Sequence, residues 1–120
     1  MPNIKYRRIM LKVSGEALAG EAHRGLDFTV INSVCDAIKE CVDMGVQVGL
    51  MVGAGNFWRG VKDGADKMQR SHADAMGMLG TVMNSIAVAD ALEKHGVDAR
   101  VLSAVEMHKN TLPGIPLTGI

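Results

Sequence analysis

Two short apolar runs, each stopping at a glycine-rich turn, constrain this chain more than any other feature. Ile9-Met10-Leu11-Lys12-Val13 closes on Ser14-Gly15, and the run over residues 46–52 closes on Gly53-Ala54-Gly55-Asn56. Short length and a glycine stop predict β-strands for both. The second run reads as a strand buried on both faces. Between them, Asp27 is a good helix cap. After it Ile31, Val34, Cys35, Ile38, Cys41 and Val42 recur at helical spacing among Asp36, Lys39, Glu40 and Asp43. Gly45 takes the position just past that helix. Residues 62–70 are polar and read as an exposed loop, residues 73–94 as a long helix ending at Gly96, and Arg100-Val101-Leu102 as a third strand. Residues 111–120 show no clear element. Strand, helix, strand, helix, strand predicts a parallel sheet with helices on its faces. Ligands of such sheets sit at the carboxyl ends of the strands, where both glycine turns lie.

Composition narrows the function classes. The chain has 120 residues, one domain's worth, and 48% are hydrophobic, enough for a real core. Thirteen basic and thirteen acidic side chains cancel, so no global field draws the protein to nucleic acid or an anionic membrane. No continuous apolar run reaches bilayer length, and Lys12 interrupts the first run, so neither a membrane span nor a secretory signal is expected. Cys35 and Cys41 lack CxxC spacing and read as reduced thiols of a cytoplasmic protein. His23, His72, His95 and His108 include no i, i+4 pair, so no metal site is expected.

Glycines at a strand end let the backbone approach a ligand and aim N–H groups at phosphate. Two such turns on neighbouring strands could hold two phosphates facing each other. Lys12, beside the first turn, would supply a point charge for bridging phosphate oxygens, and Arg59, beyond the second, could reach the same anion. Known fingerprints do not fit. Phe57-Trp58 follow Gly55, so the third glycine of G-x-G-x-x-G is missing, and Val61 follows Gly60 where a Walker A loop has lysine. As bare patterns these turns are also ordinary turns, and a strand-end lysine often only reaches solvent.

Three segments carry a resemblance. Residues 9–18, from Ile9 through Lys12-Val13-Ser14-Gly15 to Leu18, resemble the opening signature of bacterial uridylate kinases in the amino acid kinase superfamily. Residues 52–60, with Gly53-Ala54-Gly55-Asn56-Phe57-Trp58-Arg59, are similar to their second loop. Residues 73–84, with Asp74, Met76-Gly77-Met78-Leu79-Gly80-Thr81 and Met83-Asn84, resemble their long-helix motif. The match runs from about Tyr6 to Met107. It implies a three-layer αβα fold with a mainly parallel sheet, of which residues 1–120 form the amino-terminal, UMP-side part. On that resemblance the carboxy-terminal ATP-binding part would be absent, the fold incomplete and the chain inactive alone.

The implied reaction is phosphoryl transfer from ATP, with Mg2+ as its companion ion, to UMP. The resemblance assigns Lys12, Val13, Ser14 and Gly15 to ATP phosphates, with Lys12 also stabilising the transferring group. It assigns Gly55 and Arg59 to the ATP side, the Ala54 N–H to UMP, and Asp74 to the UMP ribose. Asp74 can equally be a helix-start carboxylate complementing the dipole. Ala54 stands where the family usually has a glycine, which would cost about 1 kcal/mol if the position needed positive φ. The segment from Gly20 to Gly25, which the family uses for a GTP effector, carries His23-Arg24 where an aromatic is common. On the long helix Met76, Leu79, Met83 and Ile86 share helical spacing, but Met78, Val82 and Val88 fill other faces. That pattern implies burial nearly all round, by a core or by the subunit contacts of the family's hexamer. Other kinases of the superfamily act on a carboxylate, a carbamate or isopentenyl phosphate, and Asp74 with its motif counts against those. A non-catalytic phosphate-binding half-domain or storage-type protein on the same fold is the alternative of another class.

Overall fold

A computed structural model describes residues 7–58, 67–103 and 117–119. Strand β1 (Arg8–Val13) leads into a short helix α1 (Gly15–Ala19) and a 3-10 turn (Gly20–Ala22). Helix α2 (Phe28–Asp43), strand β2 (Gln47–Val52) and the long helix α3 (Arg70–Lys94) follow, then β3 (Val101–Ser103) and β4 (Leu117–Gly119). The expected alternation and parallel pairing are present. β1 lies parallel to β2 in a register that sets Val13 opposite Val52, so both strands end level.

The local chemistry explains the boundaries. Asp27 caps α2 by accepting from the Thr29 and Val30 N–H groups at 2.9 and 3.4 Å, which satisfies two orphan donors of the first turn. Gly45, at φ 87°, ends that helix as its position in the sequence implies. Ser14 caps α1, its hydroxyl accepting from the Ala17 N–H at 3.1 Å.

Both main helices pack on one face of the β1–β2 ribbon. Leu18, Ile31, Cys35, Ile38, Val88, Ala91, Leu92 and Val97 form the buried core, and Leu11, Val13, Val48, Leu50 and Val52 pack against it from the strands. The opposite face of the ribbon carries Met10, Lys12 and Met51, and no described element covers it; Met10 is 66% exposed and Met51 56%. β2 is therefore buried on one face among the described residues, not on both. Its unbroken apolar run hides the strand's alternation, because Gly49 and Met51 on the open face are as apolar as Val48 and Leu50 on the other. The bare face is where the third layer of the expected fold would lie.

Two further differences concern α3 and β3. The described strands make two two-stranded parallel sheets, β1 with β2 and β3 with β4, where the sequence suggested one. A three-residue strand such as β4 is too short to show a period, and it follows Pro116 in a stretch read as irregular. α3 is the one helix among the described residues whose length and apolar composition would suffice to cross a bilayer. No continuous apolar run marks it in the sequence, because polar and charged residues are dispersed among its Met, Ala, Gly and Val. Its buried side, including Ala73, Gly80, Val82, Val88 and Leu92, packs within the fold. Within this chain the helix is not buried all round: Met76, Leu79 and Met83 are exposed, Leu79 by 50% and Met83 by 53%.

Candidate functional site

The two glycine turns meet at the level ends of β1 and β2. The Gly53 N–H donates to the Val13 carbonyl at 3.2 Å, which extends the ladder one residue into the second turn. A Cβ on Gly15 would stand 2.5 Å from the Gly55 nitrogen, 2.7 Å from Asn56 Oδ1 and 2.8 Å from the Gly53 oxygen. Two of those three atoms are backbone, so only glycine fits. Ser14, Gly15, Gly53, Ala54 and Gly55 are thereby one continuous patch of backbone.

Lys12 lies one residue before the end of β1, opposite Met51 in the register. Strand alternation sends it to the open face, away from the core that Leu11 and Val13 enter. It is exposed, and among the described residues it has no carboxylate partner. The Glu16 side chain lies over Gly55, where a Cβ would approach its Cγ to 2.9 Å.

Ala54 is accommodated without backbone strain. His23, at φ 62°, is the non-glycine residue with positive φ among the described residues, and Ala54 is not in that region. Its methyl packs on the bare Cα of Gly80 in α3, where an added Cβ would stand 2.9 Å from the Ala54 Cβ. The Ala54 carbonyl accepts from the Phe57 and Trp58 N–H groups, both at 2.9 Å, coiling the exit of the turn. The peptide between Gly53 and Ala54 is trans, so its C=O and N–H point in opposite directions. The Gly53 carbonyl faces inward to Asn84 Nδ2 at 2.7 Å. The Ala54 N–H consequently faces away from α3, and it donates to no acceptor among the described residues.

Asp74 lies a full turn into α3, exposed, with Arg70 Nε 3.6 Å from its carboxylate. That is beyond the first turn, where a helix dipole acts on a charge most strongly, so the dipole reading loses its basis. Trp58 draws this end of α3 to the second turn: its indole N–H donates to the carbonyl of Ala73, next to Asp74, at 2.9 Å. Arg59 lies outside the described residues. The structure thus brings together Lys12, Val13, Ser14, Gly15, Ala54 and Gly55, and sets Asp74 on the helix that backs the second turn.

Residues that sequence reasoning did not assign also build the site. Asn56 and Asn84 are buried, 4% and 0% exposed, and exchange hydrogen bonds through their side-chain amides beneath the second turn. Asn84, a polar residue in the middle of an apolar helix, carries an available signal, whereas Asn56 stands in a glycine turn where a polar residue is ordinary. Elsewhere in the core, burial and then the neighbouring Asp36 carboxylate push the Cys35 thiol up from its ordinary pKa. Among the described residues no group of three side chains could hold a metal ion.

Comparison with known proteins places this geometry. The model of the amino acid kinase family matches residues 7–116. The structure of UMP kinase from Bacillus anthracis superposes with a TM-score of 0.80 at 25% identity, over 95% of this chain and 52% of that one. UMP kinase from Ureaplasma parvum gives 0.76 at 28% identity, over 96% of this chain and 56% of its own. The chain therefore spans about half the length of these solved kinases.

Proposed function

Because the chain belongs to the amino acid kinase family, we propose that it supplies the UMP-side half of an enzyme transferring the γ-phosphoryl group of ATP to UMP. The observation that carries this reading is the contact between the two turns, Gly15 against Gly53 and Gly55, at level strand ends. Phosphoryl transfer asks mainly for positioning and charge stabilisation, and paired backbone turns suit two phosphate-bearing substrates.

In this reading Val13, Ser14, Gly15 and Gly55 line the ATP phosphates, and Arg59 joins them. The Ala54 N–H meets the UMP phosphate and Asp74 the ribose hydroxyls. Lys12 stabilises the charge redistributed as the phosphoryl group moves. Mg2+ arrives with ATP as part of the substrate. The protein works in the cytoplasm as a homo-oligomer whose contacts include the exposed Met76, Leu79 and Met83 stripe, and a GTP effector would act near Gly20–Gly25. Leu79→Glu should lower the sedimentation coefficient; an unchanged value would remove the stripe from the interface.

A UMP-dependent ADP-release assay tests the activity. The 120 residues alone should be silent, and the same residues fused to the carboxy-terminal half of a UMP kinase should turn over. Turnover of the fusion with another acceptor, and not with UMP, would overturn the assignment. Because the chain spans about half of the solved kinases, a non-catalytic phosphate-binding module is the second reading. UMP binding with a silent fusion would favour it.

A further inference from the structure

The geometry points to Asn84 as a positioning residue: paired with Asn56, it fixes the direction of the Gly53–Ala54 peptide and so the N–H that the second turn presents to a phosphate. Its amide nitrogen uses both hydrogens, one on the Gly53 carbonyl at 2.7 Å and one on Asn56 Oδ1 at 2.7 Å. Its own oxygen accepts from Asn56 Nδ2 at 3.0 Å. Asn56 Nδ2 gives its other hydrogen to the Gly25 carbonyl at 2.6 Å, and the Asn56 main-chain oxygen accepts from the Gly25 N–H at 3.1 Å. All four amide hydrogens of the pair are used, and no buried side-chain polar atom among the described residues is left without a partner.

Such a closed network in a dry site is directional in a way apolar packing is not. Leucine at position 84 could fill space under the turn, but it could not tell a carbonyl from an N–H. Holding the Gly53 oxygen inward forces the Ala54 N–H outward through the trans peptide. The same pair also bounds the first turn, because a Cβ on Gly15 would stand only 2.7 Å from Asn56 Oδ1. Through Gly25 it also ties in the segment that leads into α2. One amide on α3 thus sets the relation of both turns. The functional part of this inference rests on the UMP reading above.

The test uses the 15N-labelled 120-residue chain with UMP as the titrated probe, comparing Asn84→Leu with Ile38→Ala, a core truncation remote from the turns. For Asn84→Leu the amide resonances of Gly53, Ala54 and Gly55 should be displaced and UMP affinity should fall at least tenfold. Helix content and Trp58 emission should stay native. Ile38→Ala should lower the melting temperature while leaving both loop readouts in place. Wild-type loop resonances in Asn84→Leu would overturn the inference, and so would displaced resonances with unchanged UMP affinity. An equal effect of Ile38→Ala would reduce Asn84 to a stability role and overturn it too. If Asn84→Leu does not fold, Asn84→Ser carries the same readouts, since its hydroxyl is too short to reach Gly53 and Asn56 together. If wild type binds no UMP, the function proposed above fails for this chain, and the loop resonances alone decide the clamp.

Discussion

Adding one methyl group at Gly80 should push the second turn off α3, and removing the methyl of Ala54 should let it back. The Cβ of Gly80→Ala would stand 2.9 Å from that of Ala54, where ordinary contacts begin at 3.4 Å, so helix and turn must part by about 0.5 Å (3.4 less 2.9). Overpacking of this kind costs about 1–3 kcal/mol. Alanine in a helix interior returns up to about 1 kcal/mol, leaving a net loss of about 0–2 kcal/mol. Ala54→Gly alone gives up a packed methyl, about 0.8 kcal/mol, and frees the backbone of the turn for another 0.5–1 kcal/mol or so. In the double variant the methyl has only moved across the interface, so stability should return to within about 1 kcal/mol of wild type. The coupling energy should then exceed about 1 kcal/mol, inside the range for residues in contact. Urea melts of the four proteins read it, with helix ellipticity and the fluorescence of Trp58, whose ring edge approaches Gly77 on the same helix, as independent probes. Additivity to within about 0.3 kcal/mol would mean that the two positions do not touch, and the packing of turn on helix described above would be wrong.

Gly15→Ala should be far less tolerated, since its Cβ would meet the Gly55 nitrogen at 2.5 Å with only backbone to yield; UMP titrations should show lost binding, and wild-type affinity would refute the contact between the turns. Iodoacetamide at pH 8 should alkylate Cys41 well before Cys35, because burial and Asp36 raise the Cys35 pKa and so deplete its thiolate; equal rates by mass spectrometry would contradict that. In the fused enzyme Asp74→Ala should raise KM for UMP roughly ten- to a hundredfold, the cost of a hydrogen bond to a charged group. Lys12→Ala should instead lower kcat strongly with little change in UMP affinity, and steady-state kinetics showing the opposite split would reverse the two roles.

Much of this was legible before any coordinates. Asp27, Gly45 and the period of Ile31, Cys35 and Ile38 announced α2, because caps and apolar spacing are local properties of a chain. The turns were legible for the same reason: a glycine cluster after an apolar run has few other uses. Contacts between distant segments were not. Nothing in the spacing of residues 53–56 shows that Ala54 needs a glycine at position 80, or that Asn56 needs an asparagine at position 84. The exposure of Met76, Leu79 and Met83 escaped for a related reason, since methionine is as apolar at a surface as in a core and only the neighbours decide which it occupies.

The open face of the β1–β2 ribbon bears on what Lys12 can do. Its ammonium leaves the sheet between Met10 and Met51, and all three side chains are exposed. At about 4 Å a unit charge pair is worth roughly 1 kcal/mol in bulk water and roughly 4 kcal/mol at the effective dielectric near a protein surface. In the proposed role the same lysine would therefore grip a phosphate weakly while water fills that face, and several-fold more strongly in free energy once an apolar layer displaces the water. Met10 and Met51 supply the surface on which such a layer would rest. In the proposed reaction Lys12 and the turns would supply the geometry, and the low dielectric that gives the charge its force would come from whatever covers the methionines. A fusion that supplies such a cover should raise phosphate affinity even when the added half is disabled in its own nucleotide pocket. If the disabled fusion bound inorganic phosphate no better than the 120 residues do, then desolvation of Lys12 would not be the contribution of the added half.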